Sequence, residues 1–294
     1  MSYPDTGFLI KAAGIMFIGM LLIPLGDTAG KLLTSMEGVA PVFVAWSRFA
    51  FGAVLIFFLM GAKGFDFSIL TQWRIWFRAA FIVVCITSIL TALITEPISN
   101  VFAAVFIGPI LSYFLSVWLL GERISLARTI LLFISFCGVL AVIKPSLNMS
   151  PGMAYALLAG FSYGGFLLTS KWVAGFANAK SLLMSQLIVG AIVLMPWGVS
   201  EIPPLTMSIG GLVILSALAS ALGNLFLILA NQMVDASRLA PLIYVQLLSA
   251  TGLGILVFNE YPDLLGFFGL LLLLSSGFGS FFLGAGKQKS KKQP

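Results

Sequence analysis

Asp27 and Lys31 stand four residues apart in one apolar run, and Arg48 follows in the next. Residues four apart share a helix face, so Asp27 and Lys31 can neutralise each other. An ionisable group in hydrocarbon costs about 2.5–3.5 kcal/mol on insertion scales, so three of them at similar depth require partners or a task. Two chemistries fit. In one, Lys31 or Arg48 attracts a substrate carboxylate and Asp27 takes an amino group or a proton. In the other, the three form a buried tie between two helices, with Lys31 reaching outward along its stem. An acid beside two bases stays ionised, which argues against Asp27 as a simple proton carrier.

Uncharged polar residues extend the set. Tyr163, Gln186, Asn224, Tyr244 and Gln246 all fall inside apolar runs. Each must face another helix or a wet cavity, because an amide or hydroxyl without a partner is costly in hydrocarbon. They read as substrate-binding candidates or as interhelical bonds worth about 0.6–2 kcal/mol apiece. Trp46, Tyr113 and Trp118 are candidates for an aromatic wall, against packing as the commoner role of a single aromatic in a membrane helix. Arg78 follows Arg74 by four residues, either as a topology anchor or as a positive lining at an inner mouth.

Other chemistries are excluded by what is missing. The chain has no histidine, and its Cys, Asp and Glu residues form no cluster with metal spacing. No catalytic residue, metal or cofactor is expected. GDTAGKL at 26–32 lacks the Ser/Thr that a phosphate loop needs after Lys31. Cys85 and Cys137 sit in apolar runs and read as packed small hydrophobes.

The elements that must position these residues follow from composition. Of 294 residues 60% are hydrophobic and 9% charged, against about 25% charged in soluble domains. The solvent for most of the chain is therefore lipid, and the fold class is an all-α membrane protein. Apolar runs predict ten transmembrane helices at roughly 8–33, 41–61, 74–95, 99–119, 125–143, 152–172, 181–198, 207–230, 237–258 and 263–284. With the N-terminus inside, Lys11, Lys63, Arg74, Arg123, Arg128, Lys171, Lys180, Arg238 and the tail lysines all lie on the cytoplasmic side, leaving only Lys144 outside. That asymmetry predicts N-in/C-in topology. The net charge of +6 and the basic tail at 287–294 then answer to anionic lipid, not to nucleic acid.

An internal repeat is visible. SNVFAAVFIGPILSYFLSVWLLGERIS at 99–125 and SRLAPLIYVQLLSATGLGILVFNEYPD at 237–263 align without gaps, bringing Ser99 to Ser237 and Glu122 to Glu260, an offset of 138. Five helices per half is odd, so the second half enters from the opposite side. The halves, 1–145 and 146–286, form two inverted five-helix repeats, an architecture of secondary transporters with a midplane site. Arg78, Glu122 and Glu260 become candidate pathway ends or gates.

With LLGER at 119–123, FNEYP at 258–262, GDTAGKLL at 26–33 and APVFVAWSRFAFG at 40–52, the chain resembles EamA-type members of the drug/metabolite transporter superfamily. One departure is Asn259, where the family often has glycine. The resemblance implies a multi-pass bacterial inner-membrane permease and not an enzyme. It implies a small-molecule substrate, with amino-acid export or exchange first and uptake of S-adenosylmethionine or another cationic metabolite second. A structural membrane protein without flux is the alternative from another class. Oligomeric state is open. Replacing Asp27, Lys31 or Gln246 is expected to impair flux and leave folding intact.

Overall fold

The computed structural model describes residues 6–61, 65–121, 126–144, 150–204, 206–233 and 239–276. All regular structure among them is helical. Helix α1 (Thr6–Lys31) runs into a π-helical turn (Leu32–Met36), and α2 (Pro41–Met60) is followed by a short 3-10 helix (Phe67–Thr71). Then come α3 (Trp73–Ala92), α4 (Ile98–Val105), α5 (Ile107–Leu120), α6 (Leu126–Ile143), α7 (Pro151–Trp172), α8 (Ala179–Ser200) and α9 (Met207–Met233). A 3-10 turn (Ala240–Tyr244) leads into α10 (Val245–Phe258), and α11 is Leu264–Ser276. Seven helical stretches are long and apolar enough to cross a membrane. Thr129–Ile143, Leu242–Phe258 and Leu264–Ser276 are shorter apolar helices. Each segment overlaps one of the ten predicted runs, and several extend up to three residues beyond it.

Not every run is a single α-helix. The predicted span 99–119 breaks at Phe106, between α4 and α5. Pro109 is the physical cause. It has no N–H to give the carbonyl four residues earlier, and its ring crowds that carbonyl. Pro241 does the same before α10, where a 3-10 turn replaces the first α-helical turn. At the offset of 138, Phe106 corresponds to Tyr244, the residue at the junction of turn and helix. The two rings stack on each other, with centroids 5.2 Å apart and planes at 22°. The C-termini correspond too. Gly121 (φ 67°, ψ 24°) ends α5 and Asn259 (φ 56°, ψ 31°) ends α10, both in the left-handed region. Asn259 thus fills the glycine position with the side chain that tolerates that conformation best.

The principal packing pairs are α1 with α9, α3 with α7, α2 with α8, α1 with α10, and α7 with α4 and α5, while α4 also meets α10. When the ten runs are numbered in order, exchanging run n with run n+5 maps each of these pairings onto another or onto itself. Backbones approach closely at glycines. A Cβ on Gly19 in α1 would lie 3.0 Å from the Gly223 oxygen in α9. The outer surface is apolar: Phe58 and Trp118 are 78% exposed and Leu256 81%, which suits lipid and not water.

Chain direction alternates from run to run. At one end of the bundle, the Lys31 end, Lys31 meets Glu260 and the Glu96 backbone, Ser150 donates to Glu96, Lys144 pairs with Asp263, and Ser208 donates to Glu37 at 2.8 Å. At the other, the Arg78 end, the Asp66 N–H donates to Ser181 Oγ at 2.9 Å and Ile69, Ile75 and Val173 pack together.

A central cavity and a charged latch as candidate functional site

A cavity of about 330 Å³ lies at the centre of the bundle. Six of the predicted site residues line it: Asp27, Arg48, Tyr163, Gln186, Asn224 and Gln246. They come from α1, α2, α7, α8, α9 and α10, so both halves of the chain contribute.

The three charges at the start of the chain do not form one cluster. Asp27 pairs with Arg48 at 2.5 Å, with side chains 7% and 6% exposed. The rest of the guanidinium is spent on neutral acceptors: Nε donates to Ser216 Oγ at 2.8 Å and Nη2 to the Gly26 carbonyl at 2.6 Å. Ser216 Oγ donates in turn to the same carbonyl at 3.0 Å. One arginine thereby ties α1, α2 and α9 together. The glycine at position 30 leaves the room, because a Cβ there would collide with Arg48 Nη2 and the Leu90 side chain.

Lys31 goes elsewhere, so the expected Asp27–Lys31 neutralisation does not form. Its ammonium pairs with Glu260, donates to the Glu96 carbonyl at 2.7 Å and sits 4.8 Å from the Phe258 ring centroid. The long lysine stem reaches the bundle end where α10 finishes, whereas the short Asp27 side chain stays one turn deeper, where only Arg48 arrives. Lys31 does not line the central cavity. Glu260 accepts on its other oxygen from the Ile98 N–H at 2.9 Å, capping the first turn of α4. A carboxylate there satisfies an otherwise unpaired N–H and suits the positive end of the helix. Glu260 thus latches the ends of α1, α4 and α10 together. It lines a second cavity of about 460 Å³ at this end, with Glu96, Asn100, Lys144, Ser150 and Asp263. Asp263, on the joint before α11, accepts from Lys144 and from the Gly266 N–H, and these bonds hold its carboxyl below the usual carboxylate range.

Glu122, the expected partner gate, lies outside the described residues. Arg78 is buried at 6% exposure behind Gln186. Tyr244 does not line the cavity and packs against Phe106, which does. Asn224 Nδ2 donates back to the Ser220 carbonyl at 2.8 Å, fastening it to its own helix. Of the two readings of Trp46, Tyr113 and Trp118, the wall does not form. Trp118 faces outward, Trp46 packs on Phe43 and against Gly198, and Tyr113 meets Phe114 and Thr129. The aromatic lining is instead Phe49, Phe102, Phe106, Tyr163 and Phe166. Tyr163 was a predicted site residue, whereas apolar runs rich in phenylalanine hide the other four, and only Pro109 marks the neighbourhood of Phe106. Cys85 is buried and lines the cavity, Cys137 is exposed on α6, and both are free thiols.

Residues 150–282 match the EamA-like transporter family. The chain is 31% identical to an S-adenosylmethionine uptake transporter of Rickettsia conorii over 60% of its own length and 60% of that protein's. It is 27% identical to the S-adenosylmethionine uptake transporter of Rickettsia prowazekii over the same shares. The match to the pseudopaline exporter CntI of Pseudomonas aeruginosa is 25% identical over 79% of this chain and 82% of that one. The chain thus spans about 60% of the length of the Rickettsia relatives it matches. A solved structure, described as the crystal structure of a protein, superposes with a TM-score of 0.62 at 17% identity, covering 94% of this chain and 98% of that one. At that identity the likeness is one of fold. The matched family and these named relatives are transporters, not enzymes.

Proposed function

The chain belongs with the EamA-type permeases of the drug/metabolite transporter superfamily, and from that premise we propose that it is a secondary transporter. It moves a small polar metabolite across a bacterial inner membrane by alternating access around the central cavity. The observation that carries the reading is the cavity itself. Polar side chains from six helices of both halves converge on about 330 Å³ at the centre of an apolar bundle, where each polar group would otherwise be a cost.

The finer architecture belongs to the same proposal. Ten spans form two inverted repeats, 1–145 and 146–286, with both termini in the cytoplasm. The matched breaks at Phe106 and Tyr244, the matched left-handed caps at Gly121 and Asn259, and the exchangeable packing pairs support it. The Arg78 end, with Arg74, Lys171 and Lys180, is then cytoplasmic, as the positive-inside rule requires. The Lys31–Glu260 latch closes the outer end.

The expected order of substrates changes. The named relatives are S-adenosylmethionine uptake transporters and a pseudopaline exporter, so S-adenosylmethionine leads and free amino acids follow. Counterflow in proteoliposomes tests this. Vesicles are loaded with unlabelled S-adenosylmethionine or an amino-acid panel, and uptake of the labelled counterpart is followed with and without a pH gradient. Exchange of a panel member establishes transport and names the class. No exchange of any, from folded protein, sinks the substrate reading and favours a membrane protein without flux for these compounds.

A further inference from the structure

Arg78 is a buried guanidinium with no counter-ion among the described residues. At 6% exposure it donates Nε to Ser170 Oγ at 2.8 Å, Nη1 to the Leu182 carbonyl at 3.1 Å and Nη2 to Gln186 Oε1 at 2.9 Å. Its remaining face lies 4.5 Å from the Phe166 ring centroid. Among the described residues no carboxylate pairs with it. An uncompensated charge in a low-dielectric interior is costly, and neutral acceptors offset only part of that cost.

Gln186 passes this charge to the cavity. Arginine has no acceptor, so the atom facing Arg78 must be the amide oxygen. The amide nitrogen therefore points away from Arg78. Gln186 is 7% exposed and lines the central cavity. No hydrogen bond from its Nε2 exists among the described residues, yet the nitrogen is not sealed in, since Thr87 Oγ1 is the only buried side-chain N or O atom there that lacks a partner. Two N–H donors, polarised by a guanidinium behind them, thus lie on the side of the cavity that Phe166, Leu183 and Tyr163 also line. Every other buried cation near the cavity is already matched, Arg48 by Asp27 and Lys31 by Glu260.

We propose that Gln186, backed by Arg78, is the carboxylate subsite of the central cavity, taking the anionic end of the cargo at the Arg78 end. Gln186 touches the carboxylate and Arg78 is the positioning residue that fixes the amide and supplies the charge. This deepens the transport reading and rests on it for the identity of the cargo, though not for the existence of the subsite.

Two measurements separate these. The first needs no transport. In a Cys85→Ala, Cys137→Ala background carrying Gln186→Cys, the thiol is labelled with an anionic sulfonatoethyl or a cationic trimethylammonioethyl methanethiosulfonate. With Arg78 present, the anionic-to-cationic rate ratio is about tenfold higher than with Arg78→Gln, as field focusing in a cleft predicts. Arg78→Lys keeps most of that bias. A ratio indifferent to residue 78 overturns the subsite. The second measurement is counterflow of S-adenosylmethionine against its decarboxylated analogue. Gln186→Ala raises KM about tenfold or more for the carboxylate-bearing compound and leaves the analogue nearly unchanged. Equal losses for both overturn a carboxylate-specific role. If neither compound exchanges while the labelling bias stands, the subsite survives and the assignment of S-adenosylmethionine falls.

Discussion

The two ends of the central cavity treat buried charge in opposite ways. Toward the Lys31 end each buried cation has a carboxylate of its own, Asp27 for Arg48 and Glu260 for Lys31. Toward the Arg78 end the guanidinium meets only a hydroxyl, a backbone carbonyl, an amide and a ring. A matched pair is committed to its partner and holds helices together. An unmatched cation retains free energy to gain from an incoming anion. The same residue types thus tie helices together at one end and leave a cation without a described counter-ion at the other.

The sharpest way to break this contrast is to unmatch the matched end. Asp27→Ala leaves Arg48 buried without its anion, and is expected to cost about 3–5 kcal/mol of stability. Thermal unfolding in detergent reads this as a large loss, and the double replacement Asp27→Leu with Arg48→Met recovers much of it. An Asp27→Ala protein as stable as the parent would remove the tie. This revises the expectation that Asp27 can be replaced with folding intact, because its bonds are structural.

Gly30→Ala attacks the same tie from behind. The new methyl group meets Arg48 Nη2 and Leu90, so a loss of about 1–3 kcal/mol is expected from overpacking. Unchanged unfolding would mean that the guanidinium has room to move.

The latch is weaker, since Glu260 is 20% exposed. Lys31→Gln and Glu260→Gln are expected to couple by about 1–2 kcal/mol in a double-mutant cycle. Each frees the start of α4, so a thiol introduced by Asn100→Cys in the cavity of the Lys31 end labels faster than in the parent. Additive effects and unchanged labelling would show that the pair does not hold this end shut.

The smallest effect belongs to Asp263, paired with Lys144 on the exposed rim. Its folded pKa is depressed, first by Lys144 and then by the Gly266 N–H. Its contribution is therefore present above the ordinary carboxylate pKa and lost as pH falls through the folded value. Asp263→Ala should lower the unfolding temperature slightly at neutral pH, less so in high salt, and leave transport unchanged. A marked loss of transport would place this rim residue in the pathway.

Much of the site was legible before the fold. Asp27, Arg48, Gln186, Asn224, Gln246 and Tyr163 announce themselves because a polar group in a lipid-solvated run has to face something other than lipid. Their grouping was not legible. The i, i+4 spacing favours Asp27 with Lys31, but spacing along one helix knows nothing of α2 and of the joint after α10, which supply Arg48 and Glu260 from 21 and 229 residues away. Lys31 and Tyr244 belong to the surroundings of the cavity and not to its lining for the same reason. The aromatic lining was hidden for another. Phenylalanine costs nothing in either lipid or a packed interior, so its position in an apolar run carries no sign of which way it faces.

The sequence by itself determined the solvent and the helical class, since 60% hydrophobic and 9% charged residues call for lipid, and continuous apolar runs of about twenty residues satisfy their backbone there as helices, where a barrel strand would be short and alternating. Prolines mark where a helix can break, but Pro24 and Pro196 lie inside unbroken α1 and α8 while Pro109 and Pro241 stand at breaks, so the tertiary structure decided which of them interrupts a helix. The tertiary structure alone decided which charge meets which. Pairing depends on helix rotation and depth, and these are set by contacts such as Gly19 on Gly223, far apart in the chain. For that reason Arg78, one more buried arginine in the sequence, becomes distinct only in three dimensions, as a cation that no described carboxylate reaches.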